Sequence, residues 1–387
     1  MVELAPGLLS LVRRHAAVHG ALPDSATLGA LVRQSGGVLG REDLVELGRA
    51  VRAQLVGAGP LQELLEAPEV SDVLVNGPGA VWVDRGSGLE RVDVDVGDAA
   101  AVRALAVRLA AAGGQRLDDA EPVADARLPD GTRLHAVLPP IAAGSALISL
   151  RVLRRRAFRL QELVDAGSVA PAVAGVLRGL VAQRANLLLS GATGTGKTTL
   201  LATLLSLVPF TERIVCIEES GELVPDHPHV VRLLPRRANV EGAGEVDLVA
   251  LARHALRMRP DRIVLGECRG PEVREVLTAL NTGHEGGCAT LHANAVADVP
   301  ARLEALGALA GMTPQAVAAQ AFSALDAVIH LRRDRGLRYV AQIGEVARGG
   351  GALQVRAALE VDPDARVRPG PAWPGFANRW GLARVRL

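Results

Sequence analysis

The stretch that most constrains the fold is "LLLSGATGTGKTTLLATLL", residues 187–205. Within it the pattern G-x-x-x-x-G-K-[ST] is matched by Gly191, Gly196, Lys197 and Thr198. This pattern is typical of a phosphate-binding loop between a strand and a helix, because glycines let the backbone close around phosphates while helix amides point at the anion. The sequence therefore predicts an α/β domain built around a nucleotide phosphate site.

Lys197 is the only lysine among 43 lysine and arginine residues. An ammonium is a compact point charge on a thin stem, whereas a guanidinium is a broad planar fork. We interpret the lysine as a requirement of shape, since it must reach between β- and γ-phosphate oxygens. ATP and Mg²⁺ are the expected ligands, and Thr198 is expected to bind the metal through its hydroxyl. The other loop residues expected to bind phosphate are Ala192, Thr193, Gly194, Thr195 and Thr199.

Composition narrows the class of protein. The chain has 387 residues, of which 49% are hydrophobic, and its net charge is +1, so no global field draws it to nucleic acid or anionic lipid. The longest uncharged stretch, residues 134–150, is interrupted by two prolines and is too short to span a membrane. We expect a cytoplasmic protein that meets the membrane only through partners. Cys216, Cys268 and Cys288 share no metal-binding spacing, and we interpret them as packing residues in a reducing compartment.

Changes of pattern along the chain indicate its organisation. Residues 1–56 have helical spacing and predict a short helical lead-in. Residues 57–151 alternate apolar and polar residues around glycine-containing turns, with one helix between, and predict a smaller α+β domain. Residues 152–159 are basic and predict a linker. Residues 160–346 alternate helices with short apolar strands, which favours a largely parallel sheet covered by helices. Residues 347–387 are rich in Gly, Pro and Arg and predict a partly disordered tail.

Three further motifs follow the phosphate loop in order: "IEES", "RMRPDRIVLGECRG" and "TGHEGGCATLHAN". With the loop, this set resembles the traffic ATPases of type II and type IV secretion systems. The resemblance is closest to the CpaF/TadA branch that powers tight-adherence pili, and it extends upstream through "DARLPDGTRLHAVLPP" to cover residues 57–346. It implies a RecA-like ATPase domain, with the α+β domain capping the nucleotide.

The resemblance implies roles for individual residues. Glu267 resembles the general base that polarises the attacking water, and His292 resembles the His-box residue that couples nucleotide state to domain movement. Glu218 and Glu219 stand where the family has Glu-Asp, which leaves open which carboxylate lies nearer the Mg²⁺ or the water. His284 is a weaker candidate, because "TGH" is equally consistent with a helix-end turn.

Arginine roles come from the resemblance alone. Arg133 and Arg151 match positions where family members bring arginines of the smaller domain to the nucleotide, and such residues stabilise charge during phosphoryl transfer. Arg257 and Arg269 also match family positions. For all four, a structural salt bridge is the alternative interpretation.

The leading hypothesis is an ATP-hydrolysing homohexamer that delivers work to an inner-membrane platform protein of a pilus or secretion apparatus. One alternative is a conjugation-type transfer ATPase, because neighbouring branches share these motifs. Another is a nucleotide-binding scaffold with little hydrolysis, although such a protein should lack the catalytic carboxylate or the His box. A motor acting directly on DNA is disfavoured, because aromatic residues make up only 2% of the chain and charge is balanced.

Overall fold

A computed structural model describes residues 57–86, 88–152, 157–236 and 244–385, together with residues 25–34 and single positions among the first 51. The chain forms two compact units, Met1–Arg154 and Arg155–Leu387. Within the expected lead-in, helix α1 spans Ser25–Gln34, and most other residues of 1–56 lie outside the described residues. The centre of the expected linker, residues 153–156, also lies outside them.

The first unit contains a six-stranded sheet in the order β3-β2-β1-β6-β5-β4, with every neighbouring pair antiparallel. Helix α2 spans Gln62–Glu66, and helix α3, Ala99–Ala112, begins where Asp98 accepts a hydrogen bond from the Ala101 amide. Val102, Leu105 and Leu109 of α3 belong to the same apolar core as the sheet. The strands are β1 (Asp72–Val75), β2 (Val81–Asp84), β3 (Leu89–Val92), β4 (Val123–Arg127), β5 (Arg133–Val137) and β6 (Leu147–Arg151).

The second unit contains a nine-stranded sheet in the order β15-β14-β13-β12-β7-β11-β10-β8-β9. The run from β12 to β9 is parallel, and β13, β14 and β15 add to it in antiparallel fashion. The strands are β7 (Leu187–Ser190), β8 (Ile214–Ile217), β9 (Val230–Leu233), β10 (Arg262–Cys268), β11 (Cys288–Leu291), β12 (Ala327–Asp334), β13 (Leu337–Gly349), β14 (Ala352–Val361) and β15 (Val367–Pro369).

Helices cover both faces of the second sheet, because alternate strand residues enter different cores. Leu187 and Leu189 belong to one core and Leu188 to the other. Helices α4 (Leu160–Asp165), α5 (Pro171–Ala182), α6 (Lys197–Leu205) and α11 (Trp373–Arg379) contribute to the first core. Helices α7 (Leu248–Ala255), α8 (Val273–Leu280), α9 (Val299–Leu309) and α10 (Pro314–Ala324) contribute to the second.

The central strands β7, β8 and β11 are buried along their whole length. Strands covered on both faces read as continuous apolar runs, which is why "LLLS", "IVCI" and "CATL" show no alternation. Since β7, β11, β10 and β8 are parallel neighbours, their carboxyl ends meet at one edge of the sheet. The polar residues that follow these strands are therefore brought together.

The expectation of a partly disordered tail after residue 346 is wrong for most of that segment. Strand β13 continues to Gly349, β14 and β15 extend the sheet, and α11 contributes the fully buried Phe376. Gly350 and Gly351 have φ of +60° and +85°, so the glycines that suggested disorder form the turn between β13 and β14.

We predict that Phe376→Ala lowers the free energy of unfolding by about 3–5 kcal/mol, because a large side chain leaves a cavity in a packed core. Phe322 is 46% exposed, and Phe322→Ala is a matched control expected to change stability by less than about 0.5 kcal/mol. Urea unfolding followed by circular dichroism measures both. Equal effects of the two substitutions would contradict the placement of α11 in the core.

Candidate functional site

The loop between β7 and α6 has the backbone of a phosphate-binding loop. Gly191, Gly194 and Gly196 have φ of +152°, +74° and +94°, and α6 begins at Lys197 with its first amides facing the loop. A Cβ on Gly191 would lie 2.6 Å from the Leu331 carbonyl oxygen, so no larger residue fits there. Of the other loop residues, Ala192, Thr193 and Gly194 are exposed, Thr195 is buried, and Thr198 and Thr199 are half-buried in the first turn of α6.

Lys197 is only 7% exposed, and its ammonium is held by acceptors from the loop itself. Nζ donates to the carbonyl oxygens of Gly191 (2.9 Å) and Ala192 (3.0 Å), and it lies 3.2 Å from His292 Nδ1. Burial lowers the pKa of the lysine, an effect that the charge of Glu267 opposes. A buried charge needs hydrogen-bonding partners, and here two loop carbonyl groups and the His292 imidazole surround the ammonium.

Glu267 lies near the end of β10, and His292 follows β11 directly. His292 Nε2 is 2.5 Å from Glu267 Oε1, although this oxygen accepts no hydrogen bond of good geometry. The pKa of His292 is lowered by burial and by the nearby Lys197 charge, which favours the neutral imidazole. The imidazole thus contacts the ammonium through one nitrogen and the carboxylate through the other.

Arg269 extends this chain of contacts to Glu219 of the "IEES" motif. Its Nη2 is 2.8 Å from Glu267 Oε2, and its Nη1 donates to Glu219 Oε2 at 3.1 Å. The pKa of Arg269 is raised, chiefly by its hydrogen bond to Glu267. Glu272 fixes the loop that carries Arg269, because its carboxylate accepts hydrogen bonds from the amides of Arg269 (2.7 Å) and Gly270 (2.8 Å).

Glu218 has a different environment from its neighbour Glu219. It is 3% exposed, its Oε2 accepts a hydrogen bond from the Leu223 amide at 2.7 Å, and burial raises its pKa to about 7. Its Oε1 has no hydrogen-bond partner among the residues that the structure describes. A Cβ on Gly266 would lie 3.1 Å from Glu218 Cγ, so the glycine before Glu267 makes room for this side chain.

His284 and Arg257, both of the second unit, form none of the contacts described above. His284 Nδ1 lies 3.2 Å from the Ala279 carbonyl oxygen, at the end of α8, which fits a helix-end turn. Arg257 follows the end of α7, where its amide donates to the His254 carbonyl. Arg133 and Arg151 belong to the first unit, where they are register partners on β5 and β6. Arg151 Nε also donates to Asp72 Oδ1 at 3.0 Å.

The three cysteines are free and buried, in strands β8, β10 and β11. Burial raises the pKa of all three thiols, that of Cys288 to about 11. A protonated, buried thiol is a packing residue rather than a nucleophile.

Sequence reasoning did not identify His330, which lies in β12 beside the start of the loop. Its Nδ1 is 2.9 Å from Ser190 Oγ, and burial lowers its pKa. The signal for this residue in the sequence is a polar side chain inside the apolar run "AVIHL". Glu272 was also missed, because its role depends on two amides of a loop.

Within the described ranges, no group of three or more His, Cys, Asp or Glu side chains could hold a metal ion. This does not conflict with Mg²⁺, which is usually bound by few protein groups together with phosphate oxygens and water. The half-buried Thr198 hydroxyl and the Glu218 carboxylate supply oxygen donors of the kind that Mg²⁺ accepts. None of the helices that the structure describes is long and apolar enough to cross a membrane.

We predict that Glu218→Gln stabilises the protein at pH 8 without nucleotide or Mg²⁺. The folded-state pKa of about 7 lies above the ordinary value of 4.5, so the folded protein retains a proton that the unfolded chain loses, and stability falls as pH rises between these values. Glutamine does not ionise, so the substitution removes this loss of stability, which amounts to up to about 3 kcal/mol at pH 8. Urea unfolding of both proteins at pH 8 and pH 4 measures the difference in the free energy of unfolding. An equal gain in stability at both pH values would contradict the raised pKa of Glu218.

Comparisons with known proteins identify the family of this chain. A family model described as "Type II/IV secretion system protein" matches residues 54–338. A Mycobacterium tuberculosis protein named "Putative conjugal transfer protein" is 48% identical over 332 residues, which cover 84% of this chain and 94% of that protein. The type IV secretion system protein VirB11 of Brucella suis is 33% identical over 261 residues, covering 60% of this chain and 72% of VirB11.

The crystal structure of the pilus retraction motor PilT with bound ADP has a TM-score of 0.51 and 20% identity, and covers 84% of this chain and 86% of PilT. At this identity the likeness concerns the fold, and it confirms the predicted RecA-like α/β class. The family model spans most of the chain, including the phosphate loop, Glu267 and His292. The chain therefore belongs to the type II/IV secretion system ATPase family.

Proposed function

We propose that this protein hydrolyses ATP and powers a pilus or secretion apparatus of the tight-adherence type, the CpaF/TadA branch. The observation that carries the proposal is the continuous contact from Lys197 through His292 to Glu267. One imidazole joins a phosphate-binding lysine to a candidate general base, so a change in the position of one side chain can affect the other. A scaffold that only binds nucleotide has no need of this connection.

In the proposed reaction, the loop amides and Lys197 bind the phosphates of ATP. The Lys197 ammonium exchanges its present acceptors for β- and γ-phosphate oxygens. Mg²⁺ would be held by the Thr198 hydroxyl, and when bound it neutralises charge on the phosphates. Of the two adjacent acids we propose that Glu218 lies nearer the metal, because its Oε1 has no described partner whereas Glu219 is bound to Arg269.

Glu267 is proposed as the general base that orients and deprotonates the attacking water. Arg269 holds the Glu267 carboxylate from one side, and the neutral His292 lies on the other. Because His292 also contacts Lys197, movement of the ammonium towards a phosphate changes the environment of the base. This supports His292 as the residue that senses nucleotide state.

We also propose that Arg133 and Arg151 act on the γ-phosphate, as the family resemblance implies. Their register pairing on β5 and β6 puts both side chains on one face of the first sheet, which supports joint action. A homohexamer at the cytoplasmic face of the membrane, working on a platform protein, rests on the same resemblance.

A conjugation-type transfer ATPase is the second candidate, and one observation favours it. The relative with 48% identity carries a name that refers to conjugal transfer. Cells that lack the protein distinguish the two: loss of surface pili supports the first, and loss of DNA transfer with normal pili supports the second. ATPase activity of the purified chain, measured with and without DNA, tests hydrolysis and identifies a motor that acts on DNA directly.

We predict that Lys197→Ala abolishes tight ATP binding and that Lys197→Arg fails nearly as badly, although it keeps the charge. The buried ammonium lies among two carbonyl groups and an imidazole, and this space does not suit a planar guanidinium. Titration with a fluorescent ATP analogue and steady-state turnover measure both variants. Near-normal turnover of Lys197→Arg would show that charge, and not shape, selects this residue.

We predict that Glu267→Gln retains ATP binding and lowers turnover by roughly 100-fold or more, the usual scale for loss of a general base. Glutamine keeps the size of the side chain and removes the basic oxygen. Glu219→Gln is the matched control, because Glu219 also contacts Arg269. If Glu219→Gln abolishes turnover while Glu267→Gln is normal, the assignment of the base is wrong.

A further inference from the structure

A cavity of about 660 Å³ lies in the second unit beside the phosphate loop. The loop residues Ala192 and Thr193 form one wall, and His292 with the residues after it forms another. Helix α9 forms the rest of the wall through Ala301, Arg302 and Ala305, preceded by Asp298. The cavity therefore begins at the loop and continues on the side where His292 lies.

Arg302 reaches this cavity from the exposed side of α9. Val299, Leu303 and Leu306 of α9 are buried in the apolar core. Arg302 borders this buried stripe but is exposed, and it lines the cavity together with Ala301 and Ala305. Two alanines at these positions leave space beside the guanidinium that longer side chains would fill.

Among the residues that the structure describes, Arg302 has no hydrogen-bond or ion-pair partner, unlike Lys197 and Arg269. Lys197 is bound to two carbonyl groups, and Arg269 is paired with Glu267 and Glu219. Arg302 forms no ion pair or hydrogen bond with any residue that the structure describes.

Asp298, one helical turn before Arg302, does not pair with it. The Asp298 carboxylate instead accepts a hydrogen bond from the Ala295 amide at 3.1 Å. The guanidinium thus keeps all five donors for a ligand in the cavity.

We propose that Arg302 binds the γ-phosphate of ATP from within the same subunit. This inference deepens the proposed function and rests on it. A loop lysine of this kind reaches the β- and γ-phosphates. Since His292 contacts that lysine and lines the cavity, the cavity lies at the γ end of the phosphate chain. The Arg302 charge also acts on His292, where it lowers the pKa of the imidazole.

The role of Arg302 follows from the charge balance of hydrolysis. The water oxygen forms a bond to the γ-phosphorus, and its proton passes to Glu267. The bond from the γ-phosphorus to the β–γ bridging oxygen breaks, and its electron pair leaves with ADP. Negative charge on the equatorial γ oxygens is stabilised by a guanidinium that bonds to them. ADP has no γ-phosphate and cannot make this contact.

The test uses the full chain with Arg302→Ala, Arg302→Lys and the control Arg274→Ala. Arg274 is an exposed arginine on α8, and its side chain has no partner among the described residues. Both arginines are on the surface of helices, so folding is expected to be unaffected, and thermal melting verifies this. Turnover of ATP is measured together with affinities for ADP and for a non-hydrolysable ATP analogue.

We expect Arg302→Ala to lower turnover by about 10- to 100-fold and to weaken the ATP analogue about 10-fold, with ADP affinity within about twofold of wild type. Arg302→Lys should recover part of the loss, since it retains a point charge. Arg274→Ala should match wild type in all three measurements.

Normal turnover in Arg302→Ala, equal weakening of ADP and ATP analogue, or an equal loss in Arg274→Ala would each overturn the inference. If the wild-type chain binds ATP and does not hydrolyse it, the proposed function fails, and the ratio of ADP to ATP-analogue affinities still decides the role of Arg302. If the wild-type chain binds neither nucleotide, both proposals fail.

Discussion

The buried ammonium of Lys197 is the interaction on which the rest of the site depends. A charge taken out of water needs hydrogen-bonding partners, and this one has two loop carbonyls and an imidazole. The carbonyls are directed inward because glycines give the loop backbone conformations that other residues rarely adopt. The imidazole is in reach because β11 and β7 are parallel neighbours. The lysine, the loop and the sheet order are thus parts of one arrangement.

The two adjacent acids show how position decides chemistry. Glu218 is buried, bound to the Leu223 amide, and its pKa is raised to about 7. Glu219, one residue later, is half exposed and bound to Arg269. The backbone leaves β8 at this point, so successive side chains point in different directions and meet different surroundings. The same residue type therefore offers a group with a raised pKa of about 7 at one position and an ion-pair partner of Arg269 at the next.

The contacts at the strand ends join the lysine of the phosphate loop to acidic and basic side chains of neighbouring strands. Relatives that carry names from conjugal transfer, type IV secretion and pilus retraction share this family or this fold. A common phosphate site with different loads is expected if the load is recognised on other surfaces.

The sequence by itself determined the phosphate loop, the succession of strands and helices along the chain on either side of it, and the fold class. These depend on local rules: glycine conformations, the amides at a helix start, and apolar runs of strand length. Glu267 and His292 could be named because their motifs resemble a family, and in the structure His292 contacts both Lys197 and Glu267. Only the tertiary structure decided which of Glu218 and Glu219 is buried, and it brought His330, Glu272 and Arg302 to the site. It also showed that α11 fills the core, where composition had indicated disorder. The reason is that burial and contact between residues far apart in the chain depend on how strands are ordered and how helices pack, and a local pattern does not contain that information.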